Sequence, residues 1–128
     1  MNIIDKDKFD SIVWDMNINF KFTDLVPGAT KDEWLDSQDL NSPFKPLFDE
    51  ARQKVKNITI EQVENTLKSL GYDEVEIESD SFMTQRGKIH NGQLGPFDSC
   101  MLYFRYINYN NNEKIDKIKL KRRLLRLI

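Results

Sequence analysis

The strongest constraint on this chain is a change of hydrophobic period at Gly71. Ahead of it, "NITIEQVENTLKSLG" places Ile60, Val63, Leu67 and Leu70 at the three- and four-residue spacings of one helix face. Thr59 stands where an N-cap belongs and Gln62 completes a capping box, while Ile58 and Val63 occupy the staple positions. Gly71 is placed to take the left-handed conformation that ends such a helix. Behind it, in "DEVEIES", Val75 and Ile77 point one way and Glu74, Glu76 and Glu78 the other, which is strand periodicity.

The residues before this point read as helical. Phe9, Ile12, Val13 and Met16 follow i, i+3, i+4, i+7 spacing, with Asp5 as N-cap and Ile4 and Phe9 as its staple. "INFKF" (Ile18–Phe22) alternates and predicts a short strand, and "VPGA" then breaks the chain. "TKDEW" carries a second capping box, Thr30 with Glu33, opening a short helix through Trp34 and Leu35. Leu47, Phe48, Ala51 and Val55 predict a helix over Pro46–Lys56, where a proline in the first turn is tolerated.

The residues after it read as strands. "SFMTQR" continues or follows the first strand, and "GKIHNGQLGP" is a loop holding three of the five glycines. "FDSCMLYFRYINY" is apolar on both faces, which suits a central strand covered on both sides. "NNNEK" is a turn. Around the closing "KIKLKRRLLRLI", Ile115, Ile118, Leu120, Leu124 and Leu127 scatter around a helix axis. As a strand, Ile118, Leu120 and Leu124 share one face, and Lys117, Lys119, Lys121 and Arg123 the other. The alternation predicts an edge strand paired antiparallel with Leu102–Tyr109.

The expected architecture is α+β: a single domain over 1–128, with N-terminal helices packed on a mainly antiparallel sheet of about four to five strands from the C-terminal half. A chain of 128 residues can bury a working core without metals or disulfides. Eight Phe, four Tyr and two Trp argue against disorder. A single cysteine and an N-terminus without a basic start and apolar run point to a reducing, cytoplasmic setting, and no apolar run is long enough to span a membrane.

Net charge is −2, but unevenly spread. Residues 1–80 hold 18 acids and 9 bases, a net of −9, and residues 81–128 hold 3 acids and 10 bases, a net of +7. Such asymmetry suits an acidic region meeting a basic partner. Two acidic clusters are candidates: Asp32, Glu33, Asp36 and Asp39 around Trp34, which would serve as an interface anchor if exposed and as core if buried, and Glu74, Glu76 and Glu78 along one strand face. The basic ladder Lys117, Lys119, Lys121 and Arg123 could track phosphates, with Tyr103, Tyr106 and Tyr109 as stacking surfaces. An overall pI near 5.4 speaks against nucleic acid as the main partner.

Catalytic chemistry has one candidate group, Cys100 with His90 and Asp98. Cys100 lies in an apolar strand, where a free cysteine usually acts as a small hydrophobe. Nucleotide-loop, dinucleotide, nucleophile-elbow and zinc-protease motifs are absent, and one His and one Cys do not make an ordinary zinc site. No catalytic residue, metal or cofactor is therefore expected. The expected function is a small cytoplasmic protein-binding inhibitor, most concretely a bacterial toxin-neutralising immunity protein occluding a basic, nuclease-like toxin. The alternatives are a phage- or plasmid-encoded inhibitor of a nucleic-acid-handling enzyme, and a nucleic-acid-binding module using the basic C-terminal hairpin.

Overall fold

The computed structural model describes residues 11–84, 94–110 and 113–128. Its elements run β1 (Ser11–Lys21), α1 (Phe22–Leu25), α2 (Lys31–Asp36), α3 (Lys45–Lys56), α4 (Ile60–Ser69), β2 (Asp73–Thr84), β3 (Asp98–Asn110) and α5 (Lys117–Leu125). Among the described residues the sheet is three-stranded and antiparallel, ordered β1-β3-β2. Contacts divide the chain into two compact units. Among the described residues, one comprises 11–17, Ile58–Ser81, 103–110 and 113–127, the other Ile18–Asn57, 82–84, 94–102 and Ile128.

In the first unit, α4 forms where its caps require. Thr59 Oγ1 accepts from the Gln62 amide at 3.1 Å and Gln62 Oε1 accepts from the Thr59 amide at 2.9 Å. Gly71 ends the helix at φ +98°. Ile58, Val63 and Leu67 are buried, as are Val75 and Ile77 on β2, while Glu74, Glu76 and Glu78 face solvent. Tyr72 meets Tyr109 edge-on at 5.4 Å between centroids and donates its hydroxyl to the Lys114 carbonyl. The α4 helix packs against α5.

In the second unit, Trp34 is the centre of an aromatic cluster. Phe22 stacks parallel on it at 5.7 Å and Phe48 meets it edge-on at 5.3 Å. Val26, Ala29 and Phe44 close around the three. The indole N–H donates to the Pro96 carbonyl at 3.3 Å, so the ring's one polar group is satisfied. The Thr30–Glu33 capping box forms as expected, and α3 covers Lys45–Lys56, one residue longer than its apolar stripe predicts.

Two expected elements are overturned. Ser11–Lys21 is strand, not the continuation of a helix through Ile12, Val13 and Met16. The decisive signal is the longer alternation Met16, Ile18, Phe20, all buried, against half-buried Asn17 and Asn19. The cap and staple expected at Ile4, Asp5 and Phe9 lie outside the described residues.

The closing segment is helix, not an edge strand, so among the described residues the sheet has three strands rather than four to five, and a helix follows it. Asp116 caps this helix, accepting from the Lys119 amide at 3.1 Å. Leu120 and Leu124, four residues apart, are fully buried, whereas Ile118, expected in the core, is 63% exposed. A two-leucine stripe is enough when α4 supplies the opposing surface, and Lys, Arg and Leu are all good helix formers.

The central position expected for "FDSCMLYFRYINY" holds, with one revision. Leu102 and Phe104 are buried, then Ile107 and Tyr109: the alternation slips by one residue at Arg105–Tyr106. Tyr106 sits at φ +55°, a conformation bulky residues rarely adopt. A left-handed residue at a phase slip is the signature of a β-bulge. It keeps Ile107 and Tyr109 on the buried side, where unbroken alternation would have put Tyr106.

Candidate functional site

The segment Lys31–Asn41 of the second unit brings acidic and apolar side chains to the surface together. Helix α2 starts at the Thr30 cap, which fixes the direction of its first turn. Burying Trp34 then turns its neighbour Leu35 outward, because successive helix residues are about 100° apart. Leu35 is 50% exposed, and Asp32 and Asp36 are exposed beside it.

Beyond α2 the chain folds back through turns rather than trailing off. The Gln38, Asp39 and Ser42 amides donate to the Leu35, Asp36 and Asp39 carbonyls. The Asp39 carboxylate accepts from the Asn41 amide at 3.0 Å. Asp36 accepts from the Ser42 hydroxyl at 2.6 Å, and the same hydroxyl oxygen accepts from the Phe44 amide at 3.1 Å. Leu40 is held at the tip of these turns, 77% exposed.

Behind the segment, Arg52 of α3 is buried against the Trp34 ring at 5.6 Å and donates to Ser99 at 3.1 Å. Asp49 pairs with both Arg52 and Lys45. Burial pushes the Asp49 carboxyl up, but the hydrogen bonds and charges of those two cations outweigh it and hold it below its ordinary value. The buried guanidinium is thus partnered, and the surface that bears Leu35 rests on a fixed support.

Of the residues singled out in the sequence, Asp32, Asp36 and Asp39 are exposed around Leu35 and Leu40, and Glu33 is half-buried in its capping role. Trp34 is not a surface anchor: only 1% of it is exposed, and its faces are taken by Phe22, Phe48 and Arg52. Leu40, not among those singled out in the sequence, is the more exposed apolar residue here, at 77%. Its signal was an apolar residue flanked by polar ones in "SQDLNSP", a stretch rich in turn formers.

Glu74, Glu76 and Glu78 belong to the first unit, on the solvent face of β2. The basic residues Lys117, Lys119, Lys121 and Arg123 form no ladder, since they are spread around α5. Tyr109 is buried, so it offers no stacking surface.

Cys100 is fully buried, and burial pushes its thiol up to about 12, so at neutral pH it is protonated and a poor nucleophile. Asp98 accepts from Asn19 and from the Gly95 amide, both at 2.8 Å, holding the turn into β3. His90 lies outside the described residues. Among the described residues no group of three His, Cys, Asp or Glu is placed to hold a metal ion, and no helix is long and apolar enough to cross a membrane. The chain matches no protein-family profile, no curated protein and no solved structure.

Proposed function

We propose that this chain is a small protein-binding inhibitor that occludes a basic partner through the segment Asp32–Leu40. The most concrete form is an immunity protein acting in the cytoplasm against a nuclease-like toxin. The observation that carries the reading is the exposure of Leu35 on α2 and of Leu40 on the hydrogen-bonded turn after it, beside Asp32, Asp36 and Asp39.

Each part has a role in association. Carboxylates steer a cationic partner and set its orientation, which raises the on-rate more than the final affinity. The leucines contribute on docking, about 1.5–3 kcal/mol each if fully buried. Association costs at least about 4 kcal/mol in lost freedom, so two leucines alone give a weak complex. A stable one needs a wider footprint, about 1,200 Å² or more in total. A turn already ordered by Ser42 and Asp36 avoids part of the ordering cost. Inhibition by occlusion needs no catalytic group.

An inhibitor of a phage- or plasmid-related nucleic-acid enzyme would use the same surface and differs only in its partner. A photo-crosslinking amino acid placed at Leu40, with a control at exposed Lys54, tests the reading in living cells. The expected result is a discrete adduct with a basic protein from position 40 only. Adducts equal at both positions, or with acidic proteins, would contradict it.

A further inference from the structure

We propose that the exposed face of α5 formed by Lys119, Arg122, Arg123 and Arg126 is a docking surface for the phosphate backbone of nucleic acid. These residues belong to a different segment from Asp32–Leu40, so either assignment can fail without the other.

The orientation of α5 is fixed by its buried side. Leu120 and Leu124 are fully buried and the helix packs on α4. Lys119, Arg122, Arg123 and Arg126 follow i, i+3, i+4, i+7 spacing, share one stripe about 100° wide, and are all exposed. Among the described residues none of the four forms an ion pair. From Lys117 to Ile128 the chain holds six cations and no acid.

Stability does not ask for this composition. Lys119 with Arg123, and Arg122 with Arg126, are like charges four residues apart and repel along the helix. Cations in the last turn favour the helix dipole, which accounts for Arg122 and Arg123. Lys117 and Lys119 sit at the other end, where positive charge opposes it. A solvated face would interleave acids with these bases.

The geometry suits phosphates. At a rise of about 1.5 Å per residue, Lys119 to Arg126 spans about 10.5 Å. One strand of a duplex carries a phosphate about every 3.4 Å along the axis, so the stripe faces about three of them. Arginine's planar fork matches phosphate oxygens. A membrane-surface helix needs its apolar face outward, but here Leu120 and Leu124 face inward and Ile118 is the one outward apolar residue on the helix that is mostly exposed. Backbone contacts of this kind read no sequence.

The test is fluorescence anisotropy of the full chain with two labelled DNA duplexes of about 20 base pairs and unrelated sequence, from about 50 to 200 mM salt. Binding of both alike is expected, with a log–log salt slope near −3 for about three contacts. Replacing all four cations with glutamine should lower affinity about tenfold or more and flatten the slope. Circular dichroism checks folding, and if that variant does not fold, Arg122→Gln and Arg126→Gln alone should each lower the slope by about one. No binding at the lowest salt, equal affinity of the folded variants, or tighter binding to phosphatidylserine-containing vesicles or to a poly-glutamate peptide would overturn the assignment.

Discussion

The Ser42 hydroxyl donates to the Asp36 carboxylate at 2.6 Å and ties the end of α2 to the turn that follows Leu40. One acid of the proposed docking segment is therefore also its internal clamp. Ser42→Ala removes the clamp and leaves the Asp36 carboxylate without that donor. The expected cost is about 1 kcal/mol in urea denaturation, with faster proteolysis within 37–43. An unchanged cleavage pattern would mean that the backbone turns alone hold Leu40.

Trp34 and Leu35 are neighbours with opposite fates, and substitution should separate them. Trp34→Ala opens a cavity beneath Phe22 and Phe48 and should cost about 3–5 kcal/mol. Leu35→Ala, at a half-exposed site, should cost well under about 1 kcal/mol. Chemical denaturation of both variants measures the difference, and equal losses would argue against the described packing.

The Glu64 carboxylate accepts from the Ile77 amide at 3.0 Å, so α4 occupies part of the outer edge of β2. Glu64→Ala should leave that half-protected donor unpaired, at about 1–3 kcal/mol. Amide exchange at Ile77 should accelerate more than at Val75. The bared edge should also favour concentration-dependent association, visible by sedimentation.

Cys100 gives a pH-dependent prediction. Its thiol titrates near 12 in the folded chain against an ordinary 9.0, so the folded state holds this proton more tightly. The resulting contribution is intact below about 9 and is lost as pH rises from there toward 12. Cys100→Ala should therefore flatten the fall of stability between pH 9 and 11. Thiol labelling of the native protein at neutral pH should be slow and limited by unfolding, and rapid labelling would revive a catalytic role.

What could be read from the sequence was local and redundant. The Thr30–Glu33 and Thr59–Gln62 boxes and the stop at Gly71 each rest on residues a few positions apart, and all three formed. The elements at the ends of the chain depend on distant partners. For Ser11–Lys21 the helical spacing of Phe9, Ile12, Val13 and Met16 competed with alternation, and pairing with β3 decided it. For α5, demanding that Ile115, Ile118, Leu120, Leu124 and Leu127 share a face hid the pair Leu120 and Leu124, and the helix packs against α4. The bulge at Tyr106 had no signal, because tyrosine disfavours the conformation it takes. At the candidate site the acids were legible as exposed, but which of Trp34, Leu35 and Leu40 lay inside required knowing where Phe22 and Phe48 come to rest.

The most direct test of a docking role for Asp32–Leu40 is the association rate with the basic partner captured at position 40, measured by stopped flow. The account predicts that Asp32→Lys with Asp36→Lys slows association about tenfold at low salt, that salt removes the difference, and that Leu40→Ala acts on dissociation. On-rates and off-rates within threefold of the unmodified chain, in variants that remain folded, would contradict it.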